Sequence, residues 1–262
     1  MRKLTTLILA VAGLALAAGS AAADEMNVRI ATEGAYPPFN FVDKDGKLQG
    51  FDVDIANALC DHMKAKCTIV AQDWDGIIPG LLAKKYDAII ASMSITDERK
   101  KKVNFTDRYY NTPARFIGKK GTPIDISAAG LKGKRIGVQR ATIHENFIRA
   151  KFPDAEVVVY DTADNANADL AAGRLDLRED DSVALLEFLK SDPGKDFDFV
   201  GPGFFEPREI LGYGAGIAVR KEDTALRDAF NKALKDIRAD GTYKTINDKY
   251  FTFDVYGPAQ GS

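Results

Sequence analysis

Short apolar runs of strand length alternate along this chain with stretches whose apolar positions recur at helical spacing. Val28 to Thr32 (VRIAT) and Thr68-Ile69-Val70 read as strands. Between them, Gly50-Phe51-Asp52-Val53-Asp54-Ile55 opens a helix with Val53, Ile55, Ala56 and Leu59 on one face. Ala88-Ile89-Ile90-Ala91 is wholly apolar, which suits a strand buried on both faces of a parallel sheet. Beyond Tyr110 the pattern restarts. Asn111-Thr112-Pro113 reads as a crossing, Lys134 to Val138 and Val157 to Tyr160 as strands, and Thr142-Ile143-His144-Glu145 as a helix start. Asn165 to Ala172 forms a short helix ended by Gly173, and Asp181 to Lys190 another. Gly212 to Arg220 reads as a strand, and Glu222 to Asp240 as an amphipathic helix with Leu226, Phe230, Leu234 and Ile237 on its stripe. A last helix ends at Tyr250 and Phe251.

Repetition of strand, loop, helix and strand predicts parallel α/β sheets with right-handed crossovers and a ligand site beyond the strand carboxyl ends. Glu33, Tyr36, Trp74, Ser92 and Arg99 all follow strands, so they fall along one rim. The stretch from Asp87 to Tyr110 concentrates the chemistry. Thr96-Asp97-Glu98 reads as an N-cap with acidic first-turn residues, which sets Arg99 in a first turn where the helix dipole disfavours a cation. An anionic ligand group resolves that conflict, because an arginine fork binds a carboxylate bidentately while Ser92, Ser94 and Thr96 supply hydroxyls. The alternative is that Arg99 merely opens the solvated run Arg99-Lys100-Lys101-Lys102. For Tyr36 and Trp74 it is half-buried packing.

Arg2 and Lys3, an uncharged stretch from Leu4 to Ala18 and Ala21-Ala22-Ala23 before Asp24 make residues 1–23 an expected export signal, leaving a soluble periplasmic chain. Loss of Arg2 and Lys3 takes the formal charge from −2 to −4, a balance that argues against nucleic acid as partner. In an exported chain the two cysteines, Cys60 and Cys67, can pair, and the small loop so closed contributes about 2 to 3 kcal/mol. With only His62 and His144 besides, no metal-ligand spacing is present, and no cofactor is expected. No catalytic triad or glycine-rich phosphate loop can be assembled, and Asp52 and Asp54 read as helix-start residues.

At GFDVDIANAL, TEGAYPPF, SMSITDERKKKVNFT, AAGRLD and the closing DGTY, the sequence resembles the family 3 extracellular solute-binding proteins, the polar amino-acid receptors of bacterial ABC importers. Within it the chain looks most like the lysine/arginine/ornithine and histidine receptors, which share a cysteine pair matched by Cys60 and Cys67. The resemblance implies a two-lobe α/β periplasmic binding protein fold (type II), the lobes joined by two crossing strands and closing on the ligand. Residues 24–110 and 213–262 would form lobe one and residues 111–212 lobe two. It also implies a monomer that passes a basic amino acid to a membrane permease. Arg99 matches the arginine that clamps the ligand α-carboxylate, helped by Ser94 and the backbone at Thr142. Asp181 matches the acid that takes the α-ammonium, with Ser92 beside it, and Tyr36 and Trp74 the aromatic pair around the side chain. Glu33 sits where the basic-amino-acid receptors carry an aspartate facing the distal cation, and Ala91, Gln139 and His144 complete the expected ligand-binding set.

Three departures stand out. Ala91 replaces a serine of the relatives, and Arg140 and His144 bring donors where those relatives have neutral groups. An opine, with its additional carboxylate, is therefore the alternative ligand. An exported cyclohexadienyl dehydratase-like enzyme, with Glu33 or His144 as proton donor, is a more distant alternative, disfavoured by an ammonium-binding Asp181. The third departure is Arg178-Glu179-Asp180, where the family continues an apolar strand. Burying three ionisable residues is costly unless they are paired, so the strand is expected to end early or lobe two to be weakened. Val and Leu at positions 178 and 179 are accordingly expected to raise the melting temperature and firm up Asp181.

Overall fold

The computed structural model describes residues 26–257; the expected export signal lies outside them. Two five-stranded sheets, each flanked by helices, form the two lobes. In the first, the order is Lys66–Ala71, Asn27–Thr32, Ala88–Ile89, Ala215–Val219 and Asn104–Tyr110. In the second it is Glu156–Tyr160, Arg135–Gln139, Leu177–Asp181, Ala114–Lys119 and Phe197–Phe204. A small sheet of Ala35–Tyr36, Asn40–Val42 and Leu48–Gln49 borders the first lobe. No helix among the described residues is long and apolar enough to cross a membrane.

The expectation of parallel sheets holds for only part of each. Lys66–Ala71, Asn27–Thr32 and Ala88–Ile89 run parallel, but Ala215–Val219 inserts antiparallel between Ala88–Ile89 and Asn104–Tyr110. Likewise Ala114–Lys119 lies antiparallel to both Leu177–Asp181 and Phe197–Phe204. The chain leaves the first sheet at Tyr110, enters the second at Ala114, and returns after Phe204 to lay Ala215–Val219 back into the first. Strands Asn104–Tyr110, Ala114–Lys119 and Phe197–Phe204, and the two- and three-residue strands of the small sheet, carry no apolar run or alternation that marks them in the sequence. Elsewhere the periodic segments became the expected elements, including Phe51–Met63, Ile143–Lys151, Ser182–Lys190 and Thr224–Ala239.

Two features hold the first lobe rigid behind its strand ends. Gly50 has φ 121°, and a Cβ there would lie 2.3 Å from the Phe39 carbonyl oxygen, so glycine lets helix Phe51–Met63 start against the Phe39 loop. Asp52 in its first turn is buried, and accepts from Asn40 Nδ2 at 2.8 Å, Ser92 Oγ at 2.9 Å and Tyr109 Oη at 2.8 Å. Burial pushes its carboxyl up to about 6 against those hydrogen bonds. At the helix's other end, Cys60 and Cys67 form a disulfide. Reduction, or Cys60→Ser with Cys67→Ser, is expected to lower the melting temperature by roughly 4–12 °C, read from a thermal melt.

Leu177–Asp181 runs through the charged segment and is buried at every position, with Arg178 1% and Glu179 0% exposed. The strand therefore neither ends early nor leaves its charges unpaired. Arg178 donates through Nη1 to the carbonyls of Gly137 (3.2 Å) and Glu179 (2.7 Å), through Nε to Asn167 Oδ1 (3.3 Å), and pairs through Nη2 with Asp180 Oδ2. His144 stands between Glu179 Oε1 at 3.0 Å and Asp180 Oδ1 at 3.2 Å. Burial alone would lower His144, but the two carboxylates outweigh it and push it up to about 9. Two cations thus face two carboxylates in one buried set. The expected gain from Val and Leu at 178 and 179 is withdrawn, because both side chains have ionic partners; burial nevertheless raises the Glu179 carboxyl above its usual range, and its Oε2 has no hydrogen-bond partner.

Candidate functional site

The carboxyl ends of the parallel strands in both sheets point into the cleft between the lobes. Glu33 follows Asn27–Thr32, Ala91 and Ser92 follow Ala88–Ile89, Gln139 ends Arg135–Gln139 and Asp181 ends Leu177–Asp181. The lobes touch across the cleft. Gln139 Nε2 donates to Glu33 Oε1 at 2.5 Å, Tyr36 Oη to Asp180 Oδ1 at 2.6 Å, and Trp74 Nε1 to the Ala141 carbonyl at 3.2 Å.

Glu33, Tyr36, Trp74, Ala91, Ser92, Ser94, Arg99, Gln139, Thr142 and His144 line one cavity, with Ile143 and Asp180. Asp181 lines its continuation beside Ser92, Ser94, Tyr110 and Thr112. The eleven residues of the expected ligand-binding set thus come to the same cleft, while Thr96 and Arg140 line neither cavity. Asp180 was missed, since the only signal for it was the charged run that looked out of place.

Arg99 lies in the short helix Asp97–Lys100, whose N-cap Thr96 accepts from the Arg99 amide at 3.2 Å. Its guanidinium sits half-buried over the Trp74 ring, 5.2 Å from the centroid. Nη1 donates to the Ser94 carbonyl at 3.0 Å and Nη2 to the Ala141 carbonyl at 3.4 Å. Among the described residues no carboxylate pairs with it. Burial lowers its pKa to about 10, so it stays a cation near neutral pH.

Two residues beside it have backbone conformations that favour glycine. Ser92 has φ 54° and Ala141 φ 58°. Such positions persist only when their surroundings hold them, and they gather at binding sites. Ser92 is fixed by Tyr109 Oη on its amide (3.0 Å) and by its own hydroxyl donating to Asp52. Its hydroxyl proton is therefore committed to Asp52, while its oxygen lines the same part of the cleft as Asp181. The Ala141 carbonyl receives both Trp74 and Arg99, and Thr142 next to it caps helix Ile143–Lys151 through the Glu145 amide at 3.2 Å.

Three acids stand around the cleft. Glu33 is buried beside Gln139, and desolvation pushes its carboxyl up to about 7 against that hydrogen bond. Asp181 caps helix Ser182–Lys190, accepting the Val183 amide at 2.8 Å on Oδ1 and the Thr112 hydroxyl on Oδ2. Burial pushes it up to about 6. Asp180 goes the other way: burial would raise it, but Arg178 and His144 hold it below the usual carboxylate range. Arg140, by contrast, pairs with Asp161 at 2.9 Å on the exposed side and does not line the cleft.

Known proteins share both chain and fold. An L-arginine-binding protein of Pseudomonas aeruginosa is 52% identical over 233 residues, 88% of this chain and 90% of that one. The lysine/arginine/ornithine-binding periplasmic protein of Escherichia coli is 44% identical over 260 residues, 98% of this chain and 100% of that one. Among solved structures, a Salmonella typhimurium periplasmic binding protein of high arginine specificity superposes with a TM-score of 0.80 at 36% identity, covering 87% of this chain and 100% of its own. The family model for bacterial extracellular solute-binding proteins, family 3, matches residues 28–253, and with strand ends, cleft and relatives in agreement the chain belongs to that family.

Proposed function

We propose that the protein is a periplasmic receptor that captures a basic amino acid (arginine, lysine, ornithine or histidine) between its lobes and delivers it to the membrane permease of an ABC importer, working as a monomer without cofactor. One observation carries the reading: a guanidinium, Arg99, is held in an interlobe cleft by backbone carbonyls and an aromatic face with no carboxylate partner among the described residues. A ligand α-carboxylate completes its fork, aided by the Thr142 backbone and Ser94. Asp181 takes the α-ammonium and Glu33 the distal cation, while Tyr36 and Trp74 flank the side chain. With His144 and Asp180 paired to each other, the cleft leaves Arg99, Glu33 and Asp181 to complement a ligand with one carboxylate and two cationic groups. A calorimetric titration of ligand-stripped protein with the twenty amino acids, ornithine and opines tests this; preference for a neutral or acidic ligand sinks it.

The opine reading needs a further cation near Ala91. Arg140 is committed to Asp161 outside the cleft, and both nitrogens of His144 are taken by Glu179 and Asp180. A dehydratase-like reaction is disfavoured by the same His144 contacts and by the ammonium-directed carboxylate of Asp181.

Glu33 makes capture pH-dependent. Its carboxylate form attracts the ligand cation, and with the lobes in contact as they are here that form is lost as pH falls through about 7. Affinity for arginine or lysine is expected to fall up to roughly tenfold per unit below that point, while neutral ligands change less. Glu33→Gln should flatten the profile and weaken cationic ligands more than neutral ones. Equal losses for both classes in the calorimeter would reduce Glu33 to a loop-shaping role.

A further inference from the structure

We propose that Asp180 is a positioning residue that turns lobe closure into ligand retention, acting through the Tyr36 hydroxyl; this rests on the receptor reading above and adds to it a contact made by protein groups alone. Four groups converge on the Asp180 carboxylate. Three belong to its own lobe: Arg178 Nη2 on Oδ2, with His144 Nε2 at 3.2 Å and the Asp181 amide at 2.8 Å on Oδ1. The fourth, Tyr36 Oη, reaches Oδ1 from the other lobe at 2.6 Å. The anion is therefore fixed in place by its own lobe, and closure lands a hydroxyl on it.

The hydroxyl is aimed as firmly as its acceptor. The Tyr36 ring stacks on Phe39 at 5.7 Å between centroids, and Phe39 on Tyr110 at 4.6 Å. Tyr36 is 8% and Asp180 2% exposed, so both ends are desolvated when the bond forms. An O–H to carboxylate bond of this length falls in the charge-assisted range, and a buried hydroxyl without an acceptor would be costly.

The other contacts across the cleft differ in kind. Gln139 to Glu33 and Arg99 to Ala141 use groups that the ligand itself engages. Asp180 is instead neutralised inside its own lobe, since Arg178 and His144 balance Glu179 and Asp180. It does not compete with Glu33 or Asp181 for the ligand's cations, and although the Tyr36 ring flanks the ligand, the Tyr36 hydroxyl is directed at Asp180 across the lobes. That gives the charged strand segment a use which an apolar strand could not supply.

The test is stopped-flow kinetics on Trp74, the single tryptophan of the chain, with arginine as probe. Tyr36→Phe keeps the ring and removes the O–H; it is expected to speed dissociation roughly tenfold with little change in association. Asp180→Asn should do the same, and the double variant no more than either alone, because both remove one bond. Additive effects, or an unchanged dissociation rate in Tyr36→Phe, overturn the proposal; additivity would mean that Asp180 only supports its lobe. If Asp180→Asn does not fold, the Tyr36→Phe dissociation rate decides alone. Small-angle scattering of ligand-free protein separates this from the receptor reading. Tyr36→Phe is expected to open the ligand-free ensemble even if no amino acid binds, and an unchanged radius of gyration there overturns the proposal.

Discussion

Arg99→Ala is expected to lose roughly 3–5 kcal/mol of amino-acid binding, two to three and a half orders of magnitude in Kd, while the protein stays folded. The loss is large because the bound carboxylate would be left desolvated without its counter-charge. The fold survives because the protein's own claims on the guanidinium are modest: the Ser94 and Ala141 carbonyls and the face of Trp74. Arg99→Lys should also bind poorly, since a point charge cannot span both carboxylate oxygens. Calorimetry alongside a thermal melt checks both. Near-normal affinity in Arg99→Ala would remove the carboxylate clamp from the receptor reading.

Replacing Arg178 and Glu179 together with Val and Leu is expected to destabilise the protein by roughly 3–5 kcal/mol, lowering the melting temperature by about 6–20 °C. In a sheet of ordinary composition the same change would remove two desolvated charges and raise it. Here it strips Asp180 of Arg178 and His144 of Glu179 in a place without solvent. His144 and Asp180 stay paired with each other, but the Gly137 carbonyl, the carbonyl of residue 179 and Asn167 Oδ1 lose the donors that Arg178 supplies, and buried acceptors left without partners are costly. The loss should appear in the ligand-free melt, and the altered setting of Asp180 and Asp181 should weaken ligand binding as well. A higher melting temperature in the variant would mean that the pairing contributes less than the charges cost to bury.

Much of the cleft was legible in the chain because it depends on local rules. Thr96 and Thr142 cap helices through side chains whose pattern can be read from four residues, and both stand at the cleft. A cation in a first helical turn singles out Arg99, and the structure places its guanidinium in the cleft with no carboxylate pair among the described residues. The apolar run at Ala88 marked the strand whose end carries Ser92. Three strands with mixed faces gave no such signal, and hydrophobic period says nothing of strand direction, so the antiparallel insertion of Ala215–Val219 was not foreseen.

What the sequence by itself determined is the periodic helices and the apolar strands, their order and the residue types delivered to those strand ends, because capping, periodicity and strand-end placement are properties of neighbours along the chain. Tertiary structure alone decided who meets whom. Ser92 spends its hydroxyl on Asp52, forty positions away, and Arg140 turns to Asp161 while His144, four residues on, faces inward. The run Arg178-Glu179-Asp180 read as a defect because its partners, His144, Asn167 and Tyr36, lie on other elements. Whether a buried charge weakens a protein or holds it together depends on the counter-charge within a few ångströms, and that distance is set only when the sheets, helices and lobes have packed.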